Sequence, residues 1–172
     1  MATPSANLFV CASDHAAIIR IRGRANFSSS AHFRALVNEL HARGSDRFIL
    51  DLTECATMDS TFLGVLAGLA LKLSNGTEKP GRPVLELYNP NERILDLLEN
   101  LGISHFFTRI ESPPALGGAF NPATPYEPSP KEELSQTCLE AHQTLMAVNP
   151  DNIPKFKEVT QFLAEDLKKS KA

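Results

Sequence analysis

The chain has no tryptophan, two tyrosines and three cysteines in 172 residues, and each scarcity closes off a class of function. Cys11, Cys55 and Cys138 are odd in number and far apart, with no Cys-x-x-Cys pair, which argues against a disulfide framework and a zinc site. They read as small buried residues. His15, His32, His41, His105 and His142 are equally scattered, with no two on one helix face around a carboxylate, so no metal centre is expected. There is no basic excess to hold phosphate backbones: 17 Lys and Arg against 20 Asp and Glu leave a net charge of -3, with the cations dispersed. Nucleic acid is therefore not an expected partner. No apolar run reaches the length of a membrane span, and Met1 to Asn7 lacks the basic and apolar regions of a signal peptide. Membrane insertion is not expected, and the cytoplasm is the expected location. Neither a Gly-x-Ser-x-Gly elbow, nor a Gly-rich phosphate loop ending in Lys-Ser or Lys-Thr, nor a dinucleotide fingerprint is present. No cofactor and no enzymatic activity are expected.

What is present suits a globular domain with something added, since 42% hydrophobic content over this length supports a real core. Leu8 to Ala12 and Ala17 to Ile21 are short apolar runs split by Ser13-Asp14-His15, which predicts an antiparallel hairpin. Ser28-Ser29-Ser30 are cap candidates for a helix carrying Phe33, Leu36, Val37 and Leu40 as far as Gly44. Phe48 to Leu52 reads as a central strand ended by Thr53 and Glu54, and Leu63, Leu66, Ala67, Ala70, Leu71 and Leu73 recur at helical spacing. Asn75 to Gly81 is a dense turn segment, and Pro83 to Tyr88 a further strand. Asn89-Pro90 reads as an N-cap with proline at the first helical position, ahead of Ile94, Leu97, Leu98 and Leu101, with Gly102 closing the helix. Phe106, Phe107 and Ile110 predict one last short strand. Strands alternating with helices at these intervals predict an α/β fold, with a mixed sheet of four to five strands and helices packed on it.

The segment Met58-Asp59-Ser60-Thr61-Phe62-Leu63-Gly64 joins the end of a very apolar strand to the start of an apolar helix. Asp59, Ser60 and Thr61 are all capping types, so one of them should accept a bond from the first helical amides and leave another hydroxyl free to face solvent or a partner. On residue types alone an ordinary helix start is the plainer reading.

Beyond residue 111 the composition changes. Glu111 to Pro130 holds Pro113, Pro114, Pro122, Pro125, Pro128 and Pro130, which predicts an extended linker. Then Leu134, Cys138, His142, Leu145 and Met146 share a helical stripe, broken at Asn149-Pro150. A last helix is expected from near Pro154, with Phe156, Val159, Phe162, Leu163 and Leu167 on one face and Lys168, Lys169 and Lys171 near its end. The expected organisation is a domain over 1–111, a linker over 112–130 and a C-terminal helical pair over 131–172. Such helices are marginal alone. They either pack on the domain's own surface or form a homodimerisation or partner-docking element.

The order of elements over residues 8 to 111, together with three motifs, resembles the STAS domain and, within it, the bacterial anti-sigma-factor antagonists. Gly23-Arg24-Ala25-Asn26 is similar to the family's Gly-x-hydrophobic-Asp at the end of the second hairpin strand. Phe48 to Leu52 followed by Met58-Asp59-Ser60-Thr61 resembles the strand and Asp-Ser-Ser/Thr-Gly-Leu-Gly loop that carries the phosphorylated serine. Asn89-Pro90 to Leu101-Gly102, with the Phe-Phe pair, is similar to the last helix and strand.

The resemblance implies a phosphorylation-controlled partner switch. Ser60, with Thr61 as the alternative acceptor, would be phosphorylated by an anti-sigma factor serine kinase and released by a PP2C-type phosphatase. The unphosphorylated form would bind the kinase and so free a sigma factor for transcription. Asn26, Asp59, Ser60, Thr61 and Phe62 would then form the partner-binding face. Two departures bear on that face: Asn26 stands where the antagonists usually have Asp, and Phe62 where many have Gly. Asp59 serves either as a cap or to position the serine, and Phe62 belongs either to that face or to the core. A non-switching STAS adaptor subunit in a transport or signalling complex is the alternative. Nucleotide binding or an unknown enzyme, using the amides before the Ser60 helix as an anion nest, is a third reading, with no base, metal or lysine nearby in sequence to support it.

Overall fold

The computed structural model describes residues 6–75, 85–123 and 130–170. Met1 to Ser5, the turn residues Gly76 to Gly81, Pro83, Val84, Pro125, Pro128 and Lys171 lie outside the described residues.

The hairpin forms as β1 (Asn7–Ala12) and β2 (Ala16–Ala25), paired antiparallel and joined by a turn in which the Ser13 amide donates to the Ala16 carbonyl at 2.8 Å. The elements α1 (Phe27–Ala42), β3 (Arg47–Asp51), β4 (Cys55–Met58), α2 (Ser60–Asn75), β5 (Leu85–Tyr88) and α3 (Glu92–Asn100) follow. A 3-10 turn (Ser104–Phe106), β6 (Thr108–Ile110), β7 (Asn121–Pro122), α4 (Lys131–Val148) and α5 (Ile153–Ser170) complete the described chain. The sheet is mixed, in the order β6-β5-β3-β2-β1-β7, with β4 beside the far end of β2. The expected α/β architecture is present, but with seven strands among the described residues rather than four or five. The additions are β4, four residues long, and β7, two residues long, both too short for a hydrophobic-run reading.

Strand alternation sorts the core. Ala17, Ile19, Ile21, Phe48, Leu50, Leu85 and Leu87 join the main core beneath the helices. On the opposite face Ile18, Arg20 and Asp51 line a groove with residues 113–120. There Arg20 bonds Asp51 at 3.1 Å beneath the Phe120 ring.

Two expected caps move. Asn26 caps α1, its Oδ1 accepting from the Ser28 amide at 3.1 Å, while Ser29 lies inside the first turn and closes a capping box. Asn91 rather than Asn89 caps α3, because Asn89 takes a positive φ of 55° to turn the chain out of β5, whereas an N-cap needs an extended backbone. The α5 stripe is also narrower than expected. Thr160 and Leu167 are buried and Phe156 and Leu163 half-buried, but Val159 and Phe162 stand at the flank, with Phe162 66% exposed.

Candidate functional site

The site begins with a bulge. β2 pairs with β3 through Ala16 to Arg20, then shifts register at Gly23, which has φ +100°, and pairs with β4 through Ala25 opposite Met58. The strand ends therefore meet, and the Asp59 amide donates to the Ala25 carbonyl at 2.9 Å. Helices α1 and α2 start side by side from that point.

Asp59 serves both starts. Its Oδ1 accepts the Phe62 amide hydrogen at 2.8 Å, capping α2, and its Oδ2 accepts the Phe27 amide hydrogen of α1 at 2.7 Å. With the cap supplied by the carboxylate, both following hydroxyls are released from capping. Both meet α4. Ser60 Oγ lies 2.8 Å from His142 Nε2, and Thr61 Oγ1 lies 3.1 Å from Cys138 Sγ, both on α4. The second His142 nitrogen, Nδ1, lies 2.7 Å from the Cys138 carbonyl oxygen. A carbonyl only accepts, so Nδ1 carries the hydrogen and, in the neutral ring, Nε2 accepts the Ser60 hydroxyl hydrogen. His142 is 4% exposed and its ring packs 4.9 Å from that of Phe156 on α5.

Cover by α4 follows from the composition of α2. From Thr61 to Leu71 it carries no charge, and residues 61–70 are buried except for half-buried Gly68. A helix apolar on every side must be covered on every side. The sheet and α1 supply one side and α4 the other. Contact is closest at Gly64, where a Cβ would sit 2.4 Å from the Ala141 carbonyl oxygen. Arg34 of α1 ties α4 down at the rim, bonding Glu140 at 3.2 Å and Thr137 Oγ1 at 2.9 Å. The other end is pinned by Asn152, wholly buried, whose amide donates to the Leu101 carbonyl at 2.9 Å and the Leu145 carbonyl at 2.8 Å.

The residues singled out from sequence thus converge, with different exposures. Asn26, Asp59 and Ser60 are half-buried and adjacent, Thr61 is 4% exposed, and Phe62 is fully buried with its ring 5.0 Å from that of Phe33. Phe62 belongs to the core, since reaching a partner would require leaving it. Cys55, just upstream, is buried and its thiol is pushed up to about 11, mainly by loss of hydration, with hydrogen bonds to the Ala25 and Thr57 backbone opposing. It is no nucleophile at neutral pH. Cys138 is only half-buried, unlike the buried setting expected of all three cysteines. His142 and Cys138 are the site residues that sequence reasoning did not connect to Ser60. Among the described residues no helix is long and apolar enough to cross a membrane.

The sequence profile of the STAS domain matches residues 10–114. Among solved structures, the anti-sigma factor antagonist SpoIIAA in its unphosphorylated form is similar, with a TM-score of 0.51, 16% identity, and coverage of 61% of this chain and 88% of its own. An anti-sigma factor antagonist from Mycobacterium paratuberculosis is similar at a TM-score of 0.51 and 15% identity, covering 65% of this chain and 92% of its own. At these identities the likeness is one of fold. No curated protein matches the chain.

Proposed function

The chain belongs to the STAS domain family, and on that premise we propose that it is a non-catalytic, cytoplasmic anti-sigma factor antagonist that switches partners by phosphorylation of Ser60. The observation that carries this reading is the place of the Ser60 hydroxyl: first residue of α2, released from capping because Asp59 holds the amides, and beside the half-buried Asn26. The unphosphorylated form binds an anti-sigma factor serine kinase through Asn26, Asp59 and Ser60, with Thr61, buried under α4, and Phe62, in the core, supporting the loop. The kinase transfers the γ-phosphoryl of ATP to Ser60 Oγ. ADP leaves and the hydroxyl proton passes to a base on the kinase. A PP2C-type phosphatase returns the serine by hydrolysis, releasing inorganic phosphate.

A phosphate adds about -1.5 to -2 charges. The α2 N-terminus tolerates that charge, because helix dipoles favour anions there. A partner surface fitted to a neutral hydroxyl does not. One modification therefore breaks binding without unfolding the domain.

The contact between Ser60 and His142 favours a second reading, in which the serine is never modified and the chain is a non-switching adaptor subunit. Capture from native lysate with Ser60→Ala and Ser60→Asp baits, read by mass spectrometry, separates the two. The switch requires a serine kinase of the anti-sigma type on Ser60→Ala that is lost from Ser60→Asp. Identical sets of retained proteins favour the adaptor.

A further inference from the structure

Resting on the reading of Ser60 as the switch, we infer that α4 is a built-in competitor for the α2 face. Docked, it withholds Ser60 from both the modifying enzyme and the partner; undocked, it presents them with the hydroxyl and the apolar helix face together. The occupant of that face is thus a segment of this chain.

Phosphoryl transfer needs a kinase active site to close around Oγ. One side of the half-buried Ser60 is taken by the His142 ring, 2.8 Å from Oγ, buried and backed by Phe156. Nor can a partner reach the α2 face, since the Ala141 backbone already lies against Gly64 with no room for even one added carbon. The polar links that close the cover, Ser60 to His142, Thr61 to Cys138 and Arg34 to Glu140, are of a kind that water can replace on opening. By contrast, the end near Asn152 is held by a fully buried amide and by Lys155 Nζ on the Asn100 carbonyl at 2.9 Å. Release therefore starts at the Ser60 end and leaves α4 pinned beyond Leu145. Because α4 belongs to the same chain, it competes at high effective concentration, and a trans partner must outbid it.

The test reads access to position 60 in the full chain without any kinase. Ser60→Cys is placed in a Cys138→Ser background and exposed to a maleimide carrying a polyethylene glycol chain, with labelling at position 60 followed by peptide mass spectrometry. Gly64→Ala forces the Ala141 backbone away while giving α2 a better helix former than glycine. Ala141→Glu builds the obstruction from the extension side and decides the matter should Gly64→Ala fail to fold by circular dichroism. At least a tenfold faster labelling in a folded obstructed variant supports the cover. A rate within about twofold of the parent in folded Ala141→Glu overturns it. Since labelling involves no partner, that result would leave the switch reading standing. Identical capture by Ser60→Ala and Ser60→Asp, each in the Ala141→Glu background, would remove the switch and leave the cover.

Discussion

The carboxylate of Asp59, at the start of α2, accepts the amide hydrogen of Phe27, at the start of α1, at 2.7 Å. Its second oxygen caps α2 itself. One side chain therefore sets the spacing of the two helix starts that frame Ser60. A helix cap contributes about 1 kcal/mol, so Asp59→Ala should cost about 2 kcal/mol in urea unfolding. Asp59→Asn, with one acceptor oxygen, should lose about half as much. A cost under about 0.5 kcal/mol for Asp59→Ala would mean the double cap contributes nothing.

Phe62 offers a direct choice between core and contact surface. Its ring is wholly buried against Phe33. Phe62→Ala should destabilise the chain by about 3–5 kcal/mol through lost burial and a cavity. A surface-like loss below about 1 kcal/mol, seen by thermal or chemical denaturation, would return the residue to the partner face.

Asn152 should behave as a fastener of the C-terminal helices. Replacing it with Leu removes the shorter of two bonds at each carbonyl, leaving Leu101 with the Asn149 side-chain amide at 3.4 Å and Leu145 with the Asn149 backbone amide at 3.3 Å. A hydrogen bond contributes about 0.5–1.5 kcal/mol net, so a loss of about 1–3 kcal/mol is expected. Hydrogen exchange locates it: amides of α4 and α5 should speed up first, and uniform acceleration across β2 and β3 would contradict a local role.

Cys55 predicts a loss of stability at high pH. The folded thiol titrates at about 11 against an ordinary 9.0, so between those values the folded chain keeps a proton that the unfolded chain releases. Its stabilising effect is complete below pH 9 and is lost as pH rises toward 11. At about 1.4 kcal/mol per pH unit, the loss is on the order of 2 kcal/mol. Wild type minus Cys55→Ala isolates this contribution from other titrating groups, and a difference that stays flat from pH 8 to 11 would rule it out. Dithionitrobenzoate should leave the thiol untouched at pH 8 until the chain unfolds.

The central strand and the apolar helix after it were legible because Phe48 to Leu52 and Leu63 to Leu73 announce themselves by pattern. β4 was not, since Cys55-Ala56-Thr57-Met58 has neither length nor alternation and becomes a strand only because the Gly23 bulge hands β2 to it. Ser60 could be singled out by its place before α2, but its cover could not. His142 lies 82 positions away and reads as one member of a stripe with Cys138 and Leu145. One signal did point that way: eleven residues from Thr61 to Leu71 without a charge, more than one buried face requires. Similarly, three serines hid the cap at Asn26, because residue type alone does not say which member of a polar cluster takes the extended backbone.

Pro122 has a consequence for how copies of this chain behave beside one another. It lies opposite Phe9 in β7, and because the next residue, Ala123, donates its amide hydrogen inward to the Leu8 carbonyl at 2.9 Å, the nitrogen of Pro122 points outward. That nitrogen carries no hydrogen. A strand arriving from another molecule finds no donor there to grip, so this margin of the sheet resists the edge-to-edge stacking through which exposed strands aggregate.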